Sequence, residues 1–136
     1  MEVKKQDLID SHNRIKPFIH DTPVLTSNYV NEITGAKVYF KCENFQKMGA
    51  FKMRGAANAI LKLTDEQKNN GVVTHSSGNH AQAISLAAKK IGIKAYIVMP
   101  SNAPKIKKEA VKGYGGELIE CESNLEAREA AAKDLV

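Results

Sequence analysis

The second half of the chain switches repeatedly between two hydrophobic periods, and that alternation leaves few folds open. Val72-Val73-Thr74-His75, Ala95 to Met99 and Glu117 to Cys121 are apolar runs of strand length. Between them lie helical patterns. Ala81, Ile84, Ala87, Ala88 and Ile91 share one face of a helix predicted over Asn79 to Ile91, with Gly92 as its stop. Pro104 opens a second helix ending near Gly113, and Ser123 is expected to cap a third through Leu125, Ala130 and Leu135. Strands separated by helices pair in parallel through right-handed crossovers, so the class is α/β, a parallel sheet with flanking helices.

The first 70 residues are less regular. Leu8, Ile9, His12, Ile15 and Ile19 predict a helix over residues 5–19, broken by Thr22-Pro23. Ser27 caps a short helix through Thr34, closed by Gly35. Val38 to Cys42 is the one clear strand. Met53, Ala56, Ala57, Ile60 and Leu61 place a helix over about 52–63, and Thr64 with Gln67 begins another. This half does not make a complete domain, and the chain ends inside its last helix, so the expectation is the front part of a longer protein.

Composition excludes several classes. No apolar run approaches the ~18 residues of a membrane span, and the charged start Met1 to Asp7 lacks a secretory apolar stretch, which predicts a cytoplasmic protein. The net charge of +5 and pI of 9.2 would suit nucleic acid. However, the lysines are dispersed apart from a mild cluster at Lys105, Lys107, Lys108 and Lys112, and aromatics are not interleaved with them. Anionic small substrates are the better match to such a surface. Cys42 and Cys121 lack metal-ligand spacing and read as reduced and buried.

Two segments carry chemistry. Phe51-Lys52-Met53-Arg54 puts an amine beside an aromatic at the start of a helix, after a loop in which Gly49 permits close approach to a ligand, with Arg54 available to add positive charge. Ser76-Ser77-Gly78-Asn79-His80 lies where a parallel strand gives way to a helix, the place where open α/β sheets bind ligands and where free N–H groups attract a carboxylate. Together they suit an amine-reactive, phosphate-bearing cofactor, and pyridoxal phosphate fits best. The plainer alternatives are a solvated lysine at a helix start and simple capping by Ser77 or Asn79. His75, His80, His12 and His20 show no metal spacing and no metal is assigned. Gly113-Tyr114-Gly115-Gly116 follows a helix and precedes a strand, the wrong order for a dinucleotide loop, and reads as a helix stop and turn.

These segments resemble the fold-type II pyridoxal-phosphate enzymes (tryptophan synthase β-like architecture), in particular the serine racemases, threonine/serine dehydratases and threo-3-hydroxyaspartate dehydratases. The resemblance extends from His20 to Ser27, through Lys41 to Lys47, to Tyr96 to Pro100. It implies that Lys52 binds the cofactor covalently and takes the substrate α-proton on one face, and that Phe51 packs near the ring. It also implies that Asn79 meets the cofactor's 3′-oxygen and that Ser76, Asn79 and His80 surround the substrate carboxylate. Ser77 matches the acid/base of the opposite face in serine racemases; many biosynthetic threonine dehydratases carry alanine there. Many relatives read Thr-Gly-Ser where this chain has Met48-Gly49-Ala50.

In the family, the phosphate loop, the group facing the pyridine nitrogen and a divalent-cation site come from later sequence. Residues 1–70 would then be the N-terminal part of the large domain, and 71–136 most of a truncated small three-layer domain. The implied activity is racemisation and/or β-elimination of hydroxy amino acids by a homodimer, with little activity in these residues alone. The rivals are a non-catalytic carboxylate-binding or regulatory fragment and, more weakly, a nucleotide-binding domain.

Overall fold

A computed structural model describes residues 2–136. Helix α1 spans Lys5–Ile15, and a single 3-10 turn, Lys16–Phe18, follows it. The expected helix is cut short because Pro17 has no N–H to donate and its ring blocks a further α turn. Strand β1, Val24–Thr26, pairs antiparallel with β2, Tyr39–Lys41, in the register Leu25 opposite Phe40. This corrects the expectation of one strand in the first half. Three residues between Pro23 and Ser27 are too few to show a period, and β1 exists only through its partner 15 residues away. Between the two strands, α2 (Asn28–Thr34) is capped by Ser27 Oγ, which accepts from the Val30 N–H at 3.4 Å, and ends at left-handed Gly35 (φ 65°).

Helix α3 covers Lys52–Leu61 and α4 covers Asp65–Asn70. Thr64 and Gln67 form the reciprocal cap of α4: the Gln67 N–H donates to Thr64 Oγ1 at 3.2 Å, and the Thr64 N–H to Gln67 Oε1 at 2.9 Å. The regular half then runs β3 (Val72–His75), α5 (Asn79–Ile91), β4 (Ala95–Pro100), α6 (Lys105–Gly113), β5 (Glu117–Cys121) and α7 (Leu125–Lys133). The three strands form a parallel sheet in the order β3-β4-β5. Asn124, not Ser123, caps α7: its Oδ1 accepts from the Ala127 N–H at 2.7 Å. Either side chain could cap, and the backbone enters the helix one residue later than its sequence suggested.

Helix α5 packs on β3 and β4, and α7 crosses all three strands. Ile97 and Met99 of β4 join the core cluster with α5. Val98, which points to the other face, is equally buried. The sheet is therefore covered on both sides, as parallel sheets require. The most extensive helix contact is α3 on α5. Met53, Ala56, Ala57 and Ile60 meet Ala81, Ile84, Ala87 and Ala88 in one buried cluster, and alanines on both helices let the backbones lie close. That contact brings the first turns of α3 and α5, one from each motif, to the same molecule face.

The turn after α6 is as read: Gly115 is left-handed (φ 88°) and the Gly116 N–H donates to Val111 O at 2.9 Å, closing the helix. Both cysteines are free but only half-buried, correcting the expectation of burial. Among the described residues no helix is long and apolar enough to cross a membrane.

Candidate active site

Lys52 is delivered by an irregular loop. Two 3-10 turns, Glu43–Phe45 and Lys47–Gly49, lead to extended Ala50 and then to Phe51, the residue before α3. Met48 (φ 57°) and Gly49 (φ 74°) are both left-handed, and Met48 is the one non-glycine with positive φ among the described residues. Glycine takes that conformation freely; for methionine it costs about 1–2 kcal/mol, which surrounding contacts must offset. Lys52 itself is exposed, with Nζ 5.2 Å from the centre of the Phe51 ring, within cation–π range.

The second segment begins where β3 ends. The Ser76 N–H donates to Val98 O at 3.2 Å, extending the ladder by one residue, and Ser76 Oγ accepts from the Gly78 N–H at 3.3 Å. Gly78 is the N-cap of α5, and no side chain caps this helix. Capping by Ser77 or Asn79, the plain alternative, is therefore overturned. The first-turn N–H groups of a 13-residue helix are left for a ligand, where the helix dipole favours an anion. Ser76 and Ser77 are half-buried, whereas Asn79 and His80 are exposed in the first turn. His75, at the end of β3, is also exposed. The His80 pKa is lowered, first by partial burial of the ring and then by the positive charge of Lys52. The Lys52 amine thus lies within electrostatic reach of the serine-rich turn. A neutral imidazole there can accept as well as donate a hydrogen bond.

Arg54 does not join them. Its guanidinium grips Glu43 in a two-pronged pair, Nε to Oε2 at 2.8 Å and Nη2 to Oε1 at 2.7 Å. It lines a cavity of about 420 Å³ with His12, Lys16, Asp21 and Lys41, a lining that does not include Lys52. Glu43 also accepts from Thr22 Oγ1 at 2.6 Å. The Arg54 hydrogen bond, opposed by burial and aided by Thr22, lowers the Glu43 pKa to about 2. Buried Gln46 completes the loop's anchorage: Oε1 accepts from the His20 and Lys47 N–H groups, and Nε2 donates to His20 O. The sequence reading did not single out Thr22, Glu43 or Gln46 as partners. Apart from the Gln46–Lys47 contact, their bonds join residues 11 to 26 positions apart, and no local pattern reports such pairs.

A carboxylate whose folded pKa is depressed stabilises the fold above its unfolded pKa, and that contribution is lost as pH falls through the folded value. For Glu43 the window runs from about 4.5 down to about 2. The full depression corresponds to roughly 3 kcal/mol, and about 1–2 kcal/mol is expected once residual solvent screening is allowed for. Glu43→Gln should therefore lower stability at neutral pH and flatten the acid limb in that window. Urea midpoints measured against pH for both proteins check this; parallel acid limbs would contradict it.

Among the described residues no group of three His, Cys, Asp or Glu side chains gathers as a metal would need. What the arrangement offers is an accessible amine, an aromatic beside it, hydroxyls and an amide at a strand end, and an uncapped helix start, all on a parallel α/β frame. An amine of this kind is the chemistry that condenses with a carbonyl compound, and a free helix start is the chemistry that attracts a carboxylate. The family profile described as "Pyridoxal-phosphate dependent enzyme" matches residues 15–136, and the chain belongs to that family.

Serine racemase of Dictyostelium discoideum is 52% identical over 134 residues, which is 98% of this chain and 41% of the relative. The beta-hydroxyaspartate dehydratase of Paracoccus denitrificans is 54% identical over 124 residues, covering 91% and 39%. The solved structure of maize serine racemase superposes with a TM-score of 0.94 at 50% identity, covering 99% of this chain and 41% of that one. The architecture is therefore part of the fold-type II pyridoxal-phosphate fold, and the chain spans about two fifths of the length of these relatives.

The residues present fit pyridoxal phosphate at its reactive end. The exposed Lys52 amine suits the aldehyde, the neighbouring Phe51 suits a flat ring, and the exposed Asn79 amide suits a ring oxygen.

Proposed function

We propose that the whole protein racemises hydroxy amino acids such as serine, threonine or 3-hydroxyaspartate, or eliminates their β-hydroxyl to a keto acid and ammonia, using pyridoxal phosphate. The single observation that carries this reading is an exposed lysine amine whose charge reaches the first turn of an uncapped helix that bears Asn79 and His80 and follows Ser76 and Ser77. The relatives support the substrate class, since they include serine racemases, a hydroxyaspartate dehydratase and the L-threo-3-hydroxyaspartate ammonia-lyase of Saccharomyces cerevisiae.

When bound, the cofactor draws electrons from the α-carbon of an amino acid and so makes its α-proton removable. Lys52 Nζ holds the cofactor and moves that proton on one face; Ser77 Oγ moves it on the other. The N–H groups at the start of α5, with Ser76, Asn79 and His80, orient the substrate carboxylate. Phe51 keeps water from one edge of the site. Proton return to the face it left retains configuration, return to the opposite face inverts it, and departure of the β-hydroxyl gives elimination. The proposal extends to a homodimer, a divalent cation and a cytoplasmic location for the whole protein. It also divides the chain near residue 70 between two domains, and assigns little turnover to these 136 residues alone.

The test is made on the whole protein, following D-serine and keto acid together. Both products are expected. Ser77→Ala should suppress racemisation by about 10²-fold or more while elimination falls less; equal loss of both would sink the two-face mechanism.

A further inference from the structure

We propose that Glu43 and Arg54 are positioning residues for Lys52: their ion pair fastens the loop before α3 to the helix's first turn and so aims the Lys52 amine at the start of α5. The inference rests on the assignment of Lys52 above and adds how that amine is held.

The path between the two elements is short and strained. Left-handed Met48 and Gly49 stand four and three residues before Lys52, and nothing in a methionine's own preferences keeps it there. Contacts on both sides must hold the turn in place. On the loop side, buried Gln46 makes three hydrogen bonds, to the His20 N–H, His20 O and the Lys47 N–H, and fixes the chain just before Met48. Buried Thr22 ties the same neighbouring segment to Glu43 through a 2.6 Å hydrogen bond, and Lys41 Nζ donates to Thr22 O at 2.6 Å.

On the helix side, Arg54 follows Lys52 by two residues and closes the bracket with two bonds to Glu43. A planar guanidinium on a carboxylate resists rotation about the bond axis, which a single lysine contact does not. The pair lies 27% and 18% exposed by side chain, far drier than the 89% and 61% of the Lys105–Glu109 pair on α6. Arg54 lines a cavity with His12, Lys16, Asp21 and Lys41, a set that includes none of Lys52, Ser77 and His80, so the network is placed to act on the amine's position and not on a ligand.

The test compares wild type, Glu43→Gln and Arg54→Lys by two readouts. The first is selectivity: pyridoxal phosphate is added, the adduct is trapped with borohydride, and label at Lys52 is measured relative to the other lysines. The second needs no cofactor. The lysines are reductively methylated with 13C-formaldehyde and the Lys52 methyl resonance is followed by NMR. In the wild type the Phe51 ring should shift it from the free-lysine position.

The expected order of Lys52 selectivity is wild type, then Arg54→Lys, then Glu43→Gln with about a tenfold loss. The Lys52 resonance should move toward the free-lysine position in the same order. The Lys108 resonance, whose amine is tied to Glu120 of β5 and to Ser101 O and not to Glu43 or Arg54, should stay put as the control for intact packing. Variants that keep the wild-type Lys52 resonance and selectivity would overturn the proposal. So would a Lys108 resonance that moves together with that of Lys52, because the pair would then be merely structural. Should Glu43→Gln not fold, Arg54→Lys decides by the same criteria. If wild-type Lys52 takes no selective label, the functional assignment fails, and the methyl resonance alone then decides the positioning.

Discussion

Lys52→Ala is expected to abolish selective trapping of pyridoxal phosphate and, in a protein extended to the full family length, to cut turnover by about 10²–10⁴-fold or more. The exposed lysines carry the same amine, so preferential reaction at one of them must come from placement. Lys52 has placement in its favour: an aromatic ring 5.2 Å from Nζ and an uncapped helix start within reach of its charge. Because the side chain is exposed, its truncation should change stability by no more than about 0.5 kcal/mol. A loss of label can thus be separated from a loss of fold by a melting curve. Peptide mapping after borohydride reduction reads the result. Label scattered over many lysines in the wild type would favour the rival, a carboxylate-binding fragment that uses no cofactor.

Gly116→Val should produce the largest loss of stability, about 3 kcal/mol or more, with Gly116→Ala costing about 1–3 kcal/mol. A Cβ at this position would lie 2.4 Å from Ser85 Oγ, 2.9 Å from Val111 Cγ1 and 3.0 Å from Ile97 Cγ1. Those three side chains are fully buried. Ser85 Oγ is further held by its 2.8 Å bond to Ala81 O. None can retreat without disturbing the α5–β4–α6 packing that holds the first turn of α5 in place. Chemical denaturation gives the magnitudes. Since the nearest atom is a serine oxygen, Ser85→Ala should restore part of what Gly116→Ala loses. A Gly116→Ala protein as stable as wild type would mean that the turn before β5 does not approach α5 this closely.

Much of the frame was legible along the chain because its signals are local. The helix over Asn79–Ile91 with Gly92 as its stop, the strand Glu117–Cys121, the reciprocal cap at Thr64 and the Ser27 cap each depend on residues within a few positions of one another, and each was read with the bounds it has. Strand β1 escaped because a three-residue strand has no pattern of its own. Arg54, expected to add positive charge beside Lys52, instead turns its guanidinium to Glu43, 11 residues upstream, a partner no local pattern reports.

The two chemical segments stand out as residue types: an amine beside an aromatic, and hydroxyls, an amide and an imidazole at a strand-to-helix turn. The α/β class follows equally from the alternation of periods. These are properties of short stretches, and the sequence alone determined them. Only the tertiary structure decided that no side chain caps α5, that Lys52 and His80 sense each other across the α3–α5 contact, and that the loop before Lys52 hangs on Glu43, Thr22 and Gln46. Each of these depends on groups distant in the chain and close in space, where hydrogen bonds and charges act over ångströms whatever their separation in sequence.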